Sequence, residues 1–304
     1  MSSNMKLRQI EVFHAVMITG STVAAAEMLG VTQPAVSTTL KRMQDDLGLA
    51  MFSSVSGRLV PTPEAHALFA QAHAIQEDVG SLRRLARLLA DGKAGALRLG
   101  VVPAASEGVL ATAIAEIRIH APDLVLSVDV LNSHDLVNRL IGGRIDLACV
   151  FGDDRGAPLE TLFACSVPLR CVGPIQALSD LHSVTPADLA RLPLAAMRPT
   201  DPIGRLLSIW GGRSPLHPLV ELRSSRGVLA MARSGVASGV VDVLTLADFG
   251  KSGVCVRPLN AALSIDLRII CVSAVQRSVA LVHAAKALER AIVFGLAASP
   301  DGDS

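Results

Sequence analysis

Between Gly92 and Gly95 the chain changes texture, and that change restricts its possible folds more than any other feature. Before it, apolar residues recur at helical spacing; after it, short β-rich runs alternate with helical ones. A chain of 304 residues, half of them apolar, exceeds one ordinary domain and can bury two or more cores. A small helical head followed by a larger α/β body is therefore expected.

Within the head, Leu7 to Ile18 carries Ile10, Phe13, His14 and Met17 on one helical face and stops at Gly20. Ser21 and Thr22 offer a cap for the Ala-rich "VAAAEMLG", which Gly30 closes. Thr32 can cap a third helix whose first turn holds Gln33 and Pro34, where the missing proline N–H costs nothing. Two short helices joined by so brief a turn make a helix-turn-helix. "MFSSVSGRLVP", Met51 to Pro61, has Ser-Gly between two apolar ends and suits a small β-hairpin, a wing beside the helices.

Leu68, Ile75, Leu82 and Leu89 then fall seven apart, with Ala72, Val79 and Ala86 four after the first three. This is a heptad seam, the mark of a helix that pairs with a second copy; packing on its own domain is the alternative.

Beyond Gly95, "ALRLGVV", "LVLSVDVL" and "IDLACVF" read as buried strands separated by helices "GVLATAIAEIRIH" and "HDLVNRLIGG". Such alternation predicts a parallel sheet with right-handed crossovers. A second set follows, with strands "PLAAM", "LVELR" and "ASGVVDV" and helices "IGRLLSIW" and "GVLAMARSG". "DLRIICVS" then returns to the first set ahead of a helix from Val279 to Phe294, and the tail "ASPDGDS" is expected to fray. Two α/β lobes joined by crossing segments leave a cleft between them.

Several function classes are disfavoured. Net charge is +1 with both signs dispersed, so any nucleic-acid contact must come from a local patch. The N-terminus lacks signal-peptide order and no uncharged apolar run reaches the length of a membrane span, which makes the cytoplasm the expected compartment and excludes a membrane partner. Five cysteines form no CxxC pair; they read as buried thiols, with Cys165 and Cys171 near enough in sequence to be considered as a redox pair. P-loop, GxSxG, HExxH and paired-carboxylate motifs are all missing, so neither an enzyme nor a cofactor is expected. His66 and His73 share a helix face without a third ligand in view, a poor metal site.

"LRQIEVFHAVMITGSTVAAAEMLGVTQPAVSTTLKRMQDDLG", followed by "MF", "GR" and "TPEA", resembles the winged helix-turn-helix of the LysR-type transcriptional regulators. The likeness continues through the long helix into "GALRLGVVPAA" and "GGRIDLACV", so it covers essentially the whole chain. "LRQIEVFHAVMITGS" and "VTQPA" look most like the branch of opine-catabolism regulators. The resemblance implies a multidomain α plus α/β protein: a DNA-binding domain at 1–62, a coiled-coil linker helix at 63–91, and an effector-binding domain at 92–298 resembling periplasmic binding proteins. Lobe I would span about 95–165 and 266–295, lobe II about 166–265. It also implies a homotetramer built from homodimers, binding double-stranded operator DNA and responding to a small-molecule effector.

In a helix-turn-helix the N-terminal residues of the second helix enter the major groove. Gln33 can meet an adenine edge, Pro34 and Thr38 a thymine methyl, and Ser37 a base or a phosphate. Lys41 and Arg42, two turns on, would lie along the backbone with Arg58 of the wing, and Thr22 would meet a phosphate at its own helix start. The plainer alternatives are solvent exposure for Gln33 and Ser37, and i+4 ion pairs of Lys41 and Arg42 with Asp45 and Asp46. This chain departs from the family at Ser53, Ser54 and Thr38, where members commonly carry arginine. Residues 1–62 hold five basic side chains, Lys6, Arg8, Lys41, Arg42 and Arg58, against four acidic ones. One copy should then bind DNA weakly, with avidity compensating; a binding or sensing protein with a vestigial DNA module is the alternative.

Ligands of open α/β sheets sit at the carboxyl ends of strands, where helix N-termini favour anions. Four corners fit: "VVPAASEG" with Pro103, Ala104, Ala105 and Ser106; "VLNSHD" with Ser133; "MRPTDP" with Thr200; and "ELRSSRG" with Ser224 and Ser225. Each hydroxyl can instead be a simple N-cap. Arg198 and Arg226 are candidate partners for a ligand carboxylate, and Phe151 a wall of the pocket. Asp242 can receive an ammonium or guanidinium of an amino-acid-like effector, or cap the helix starting near Leu244.

Overall fold

The computed structural model describes residues 5–55, 58–90, 96–152, 159–212, 214–273 and 278–298. The chain divides into two compact units, Met1–Asp91 and Gly92–Ser304.

The first unit opens with three helices, α1 (Leu7–Thr19), α2 (Thr22–Leu29) and α3 (Gln33–Leu47). Ser21 caps α2 by accepting from the Val23 N–H at 3.2 Å, whereas Thr32 stands at the N-cap of α3 without a side-chain cap bond. Gly30 ends α2 at φ 64°, a left-handed conformation that glycine adopts without penalty, and this lets α3 begin three residues later. Phe13, Val16, Ala25, Val36, Leu40 and Met43 form the shared core, and the Phe13 ring meets Phe52 edge-on at 6.0 Å. The expected hairpin is present as β1 (Phe52–Val55) and β2 (Arg58–Pro61), antiparallel with Phe52 opposite Pro61. Gln44 anchors it, its Oε1 accepting from the Met51 and Phe52 N–H groups at 2.8 and 3.1 Å.

Helix α4 (Pro63–Ala90) has 28 residues and is about 42 Å long at 1.5 Å per residue. Its seam divides in two. Leu68, Phe69 and Ala72 pack into the core of the head, while Ile75 and Leu82 are 37% and 67% exposed. Packing on its own domain therefore describes the first heptad, and the next two offer an apolar stripe to something else. The side chains of Ala86 and Leu89, and the glycines at 92 and 95, lie outside the described residues, as does the tail at 299–304.

The second unit begins β3 (Ala96–Val101), α5 (Gly108–His120), β4 (Val125–Val130), α6 (Ser133–Ile141), β5 (Leu147–Phe151). These strands are parallel, with β3 between β4 and β5; β3 and β5 carry the buried apolar runs, whereas β4, expected to be buried, is the edge strand and has no buried residue. Next come β6 (Leu159–Gly173), α7 (Ile175–Leu178), α8 (Pro186–Ala190), β7 (Ala195–Met197), α9 (Pro202–Gly211), β8 (Val220–Leu222), α10 (Ser225–Arg233), β9 (Gly239–Asp242), α11 (Val243–Phe249) and β10 (Cys255–Pro258). The chain closes with β11 (Ser264–Val272) and α12 (Val279–Ala297).

The parallel sheet expected from alternation is present in β3, β4 and β5 and in β7 and β8, whereas the pairings of β6, β9, β10 and β11 are antiparallel. β11 runs antiparallel to β5, and β6 antiparallel to β11. The fifteen-residue β6 joins the lobes: Leu159–Pro168 pairs with β11, whereas Leu169–Val172 pairs with β9 and the end of the strand with β10. Parallel β7 and β8 pair in a separate two-stranded sheet. Cys165 and Cys171 both lie on β6, so six steps of about 3.3 Å hold them roughly 20 Å apart, too far to bridge. Burial pushes their thiols up to about 11 and about 12. No helix among the described residues is long and apolar enough to cross a membrane.

Candidate functional site

Two surfaces carry polar chemistry, one in each unit. On the head, α3 buries Val36, Leu40 and Met43 and thereby turns Gln33, Pro34, Thr38, Lys41 and Arg42 to solvent. The Gln33 amide donates to Ser37 Oγ at 2.9 Å and to Thr22 Oγ1 at 3.3 Å, so the starts of α2 and α3 form one hydrogen-bonded patch. Exposure of Gln33 is therefore ordered exposure, with a defined amide orientation. Asp46, the i+4 neighbour of Arg42, accepts from Gln9 of α1 at 2.8 Å. The side chain of Arg58 lies outside the described residues, while its backbone pairs with Val55 in the wing.

In the second unit a cleft opens between the lobes where β3, β4, β5, β7 and β8 end. Of the residues expected there, Pro103, Ala104, Ser133, Phe151, Ser224 and Ser225 line it. Phe151 is 6% exposed and its N–H donates to Ser133 Oγ at 3.0 Å, tying the end of β5 to the start of α6. Ser224 caps α10 by accepting from the Gly227 N–H at 3.2 Å.

The other six do not line the cleft. Ala105 is fully buried behind it, and the Ser106 hydroxyl is turned back onto the Pro103 carbonyl at 2.8 Å. Arg198 and Thr200 are exposed on the outside of their corner. Arg226 forms an ion pair with Glu107 and lies 4.6 Å over the Phe249 ring, which fixes it between α10 and α11. Asp242 is fully buried and caps α11, accepting from the Thr245 N–H at 2.8 Å and from the Thr245 hydroxyl at 3.0 Å. Burial pushes its carboxyl above the usual range. Of its two readings the cap is the one present.

Sequence reasoning passed over Asn132, Met197, Asp201, Pro202 and Arg223, all of which line the cleft. Four of them neighbour expected residues: Asn132 precedes Ser133, Met197 precedes Arg198, Asp201 follows Thr200, and Arg223 precedes Ser224. Three corners place expected residues in the cleft, and only at the β7 corner do the expected Arg198 and Thr200 give way to their neighbours Met197 and Asp201. Asn132 caps α6 through the Asp135 N–H at 3.1 Å, and Asp135 also faces Arg223 at 3.6 Å across the lobes. Asp201, 6% exposed, occupies the N-cap of α9 without a side-chain cap bond, and burial pushes its carboxyl up despite Arg223 and Arg198 nearby. The free volume is about 30 Å³, room for about one water. Among the described residues no group of three or more His, Cys, Asp or Glu side chains is placed to hold a metal.

A winged helix-turn-helix followed by a two-lobed α/β domain with an interlobe cleft defines a ligand-responsive DNA-binding class. The model for the lysR family of bacterial regulatory helix-turn-helix proteins matches residues 7–66, and that for the LysR substrate binding domain matches residues 90–292. The chain belongs to the LysR family of DNA-binding transcription regulators. It is 30% identical over 267 residues to the transcriptional activator protein LysR of Escherichia coli (strain K12), covering 87% of this chain and 86% of that one. Against the octopine catabolism/uptake operon regulatory protein OccR of Rhizobium meliloti it is 29% identical, covering 84% and 86%. The fold matches full-length CbnR complexed with its target DNA at a TM-score of 0.70 and 19% identity, covering 94% of this chain and 100% of that one.

Proposed function

We propose that this regulator reads operator DNA through the start of α3 and is switched by a carboxylate or amino-acid-like molecule held between its lobes. Gln33, Pro34, Ser37 and Thr38 contact base edges; Thr22, Lys41, Arg42 and Arg58 contact phosphates. The observation that carries this reading is the bonded patch of Gln33, Ser37 and Thr22, a polar surface held in register by a helix whose other face is core. The exposed Ile75 and Leu82 support pairing of two copies through α4, and such dimers associate into a tetramer through their second units. Two or four heads supply by avidity what one nearly neutral head lacks.

Ligand entry parts the lobes about β6 and β11, and that change of shape alters the spacing of DNA-reading heads. Couplings of this kind are typically about 1–3 kcal/mol. The protein works in the cytoplasm by binding alone, without turnover of its ligand. Selection of sites from randomised duplexes tests the DNA half of this reading. Wild type should enrich a dyad with adenine favoured at one position in each half, and Gln33→Ala should relax that position alone. Failure of wild type to enrich any sequence would overturn it.

A further inference from the structure

Around the cleft, N-cap side chains serve their own helices: Asn132 bonds to α6, Ser224 to α10, and Asp242 to α11 behind them. Asp201 does not serve α9. Its Oδ2 atom is buried without a hydrogen-bond partner, in a residue that lines the cleft. A buried carboxylate oxygen left unpaired is more costly than a neutral polar atom in the same place. Arg223 and Arg198 favour its charged form from nearby, but neither bonds to this oxygen. Arg223 faces Asp135 at 3.6 Å, and Arg198 is turned to solvent.

What complements this oxygen is a donor, best a charged one, brought in by the ligand. The same cleft receives the starts of α6 and α10, nine-residue helices whose first N–H groups favour an anion. Resting on the cleft reading above, we propose that the effector is a zwitterion of amino-acid type. Its cationic nitrogen, an ammonium or guanidinium, is held by Asp201 Oδ2, and its carboxylate is held at the starts of α6 and α10 beside Ser133, Ser224 and Ser225. A plain carboxylate lacks the group that Asp201 requires. The role assigned to Asp242 from sequence thus passes to a different aspartate. Because burial raises the Asp201 carboxyl, binding should weaken as pH falls and the carboxylate takes up its proton.

The test is calorimetric titration of the full-length protein with glycine, with both enantiomers of the other nineteen standard amino acids, and with the nitrogen-free carboxylate that corresponds to any amino acid that binds, such as propionate for alanine or glutarate for glutamate. At least one amino acid should bind, and its nitrogen-free counterpart should bind on the order of thirtyfold more weakly, as expected for loss of a buried charge partner. Asp201→Asn should abolish that ratio and the loss at low pH, yet bind the nitrogen-free compound as wild type does. A structural role for Asp201 would instead weaken both compounds together. Wild type that binds none of the amino acids, or Asp201→Asn that keeps the ratio, overturns the proposal. Carboxylates that bind alone overturn it while leaving the cleft reading standing; a bound compound unaffected by Ala104→Trp, which fills the cleft, overturns the cleft reading itself.

Discussion

Gly204, in the first turn of α9, packs against the strand end that leads to Asp201. A Cβ built there would stand 2.0 Å from the Arg198 carbonyl oxygen and 2.5 Å from that of Met197. Both obstacles are backbone, and relief needs a shift of about 1 Å between α9 and the β7 corner, since carbon and oxygen rarely approach closer than about 3 Å. Overpacking of this sort costs about 1–3 kcal/mol. For a domain near 200 residues each kcal/mol moves the midpoint about 2–4 °C, so Gly204→Ala should lower it by about 2–12 °C. Gly211, at the other end of the same helix, is the control: its Cβ would meet only the Leu216 side chain, at 3.4 Å. Gly211→Ala should leave the midpoint unchanged or raise it slightly through helix propensity. Trp210 is the only tryptophan, and it sits on α9 bonded to Asn260 at 3.2 Å, so its fluorescence follows this unit without interference. A Gly204→Ala midpoint within 1 °C of wild type, or an equal fall for Gly211→Ala, would refute the steric reasoning.

Replacing Ile75 and Leu82 together by Asp removes the exposed part of the α4 seam and should shift the sedimentation coefficient to smaller species, with the melting curve of the head little changed; an unchanged coefficient places pairing elsewhere. His14 stacks on Phe69 and meets His73 at 2.9 Å, and burial followed by repulsion from His73 lowers its pKa. A lowered base binds fewer protons folded than unfolded, so the stability it contributes is complete above the unfolded value of about 6.5 and is lost as pH falls through it. Melts of the full chain between pH 7.5 and 5.5 should show this loss in the head, reduced in His14→Phe. Arg42→Ala should weaken DNA binding evenly across sequences and lower the salt slope by about one per bound head; a selective loss at one base position would make Arg42 a base reader.

Elements with strong local signals were legible in the residues: α5 from its unbroken apolar periodicity, α2 from Ser21 and Gly30, and the wing from Ser-Gly between apolar ends. Strand β6 was not. "LETLFACSVPLRCVG" mixes polar, apolar and proline residues, because its two halves face different neighbours, and no single period survives that change of partner. The two aspartates show a different limit. Asp242 and Asp201 both precede helices, but Asp242 bonds its carboxylate to Thr245 while Asp201 makes no side-chain cap bond to α9. That distinction is made by a rotamer and its packing, which position in the chain does not encode.

The central claim is that the head binds DNA selectively through phosphate and base contacts. Fluorescence anisotropy of the full-length protein on duplex DNA from just upstream of its own gene, against scrambled DNA at several salt concentrations, tests it most directly. Affinity should favour the upstream sequence and fall steeply with salt, since several phosphates are neutralised at once. Equal binding to scrambled DNA with a flat salt dependence would contradict it, and would make the missing arginines at Thr38, Ser53 and Ser54 the mark of a DNA module that no longer reads sequence.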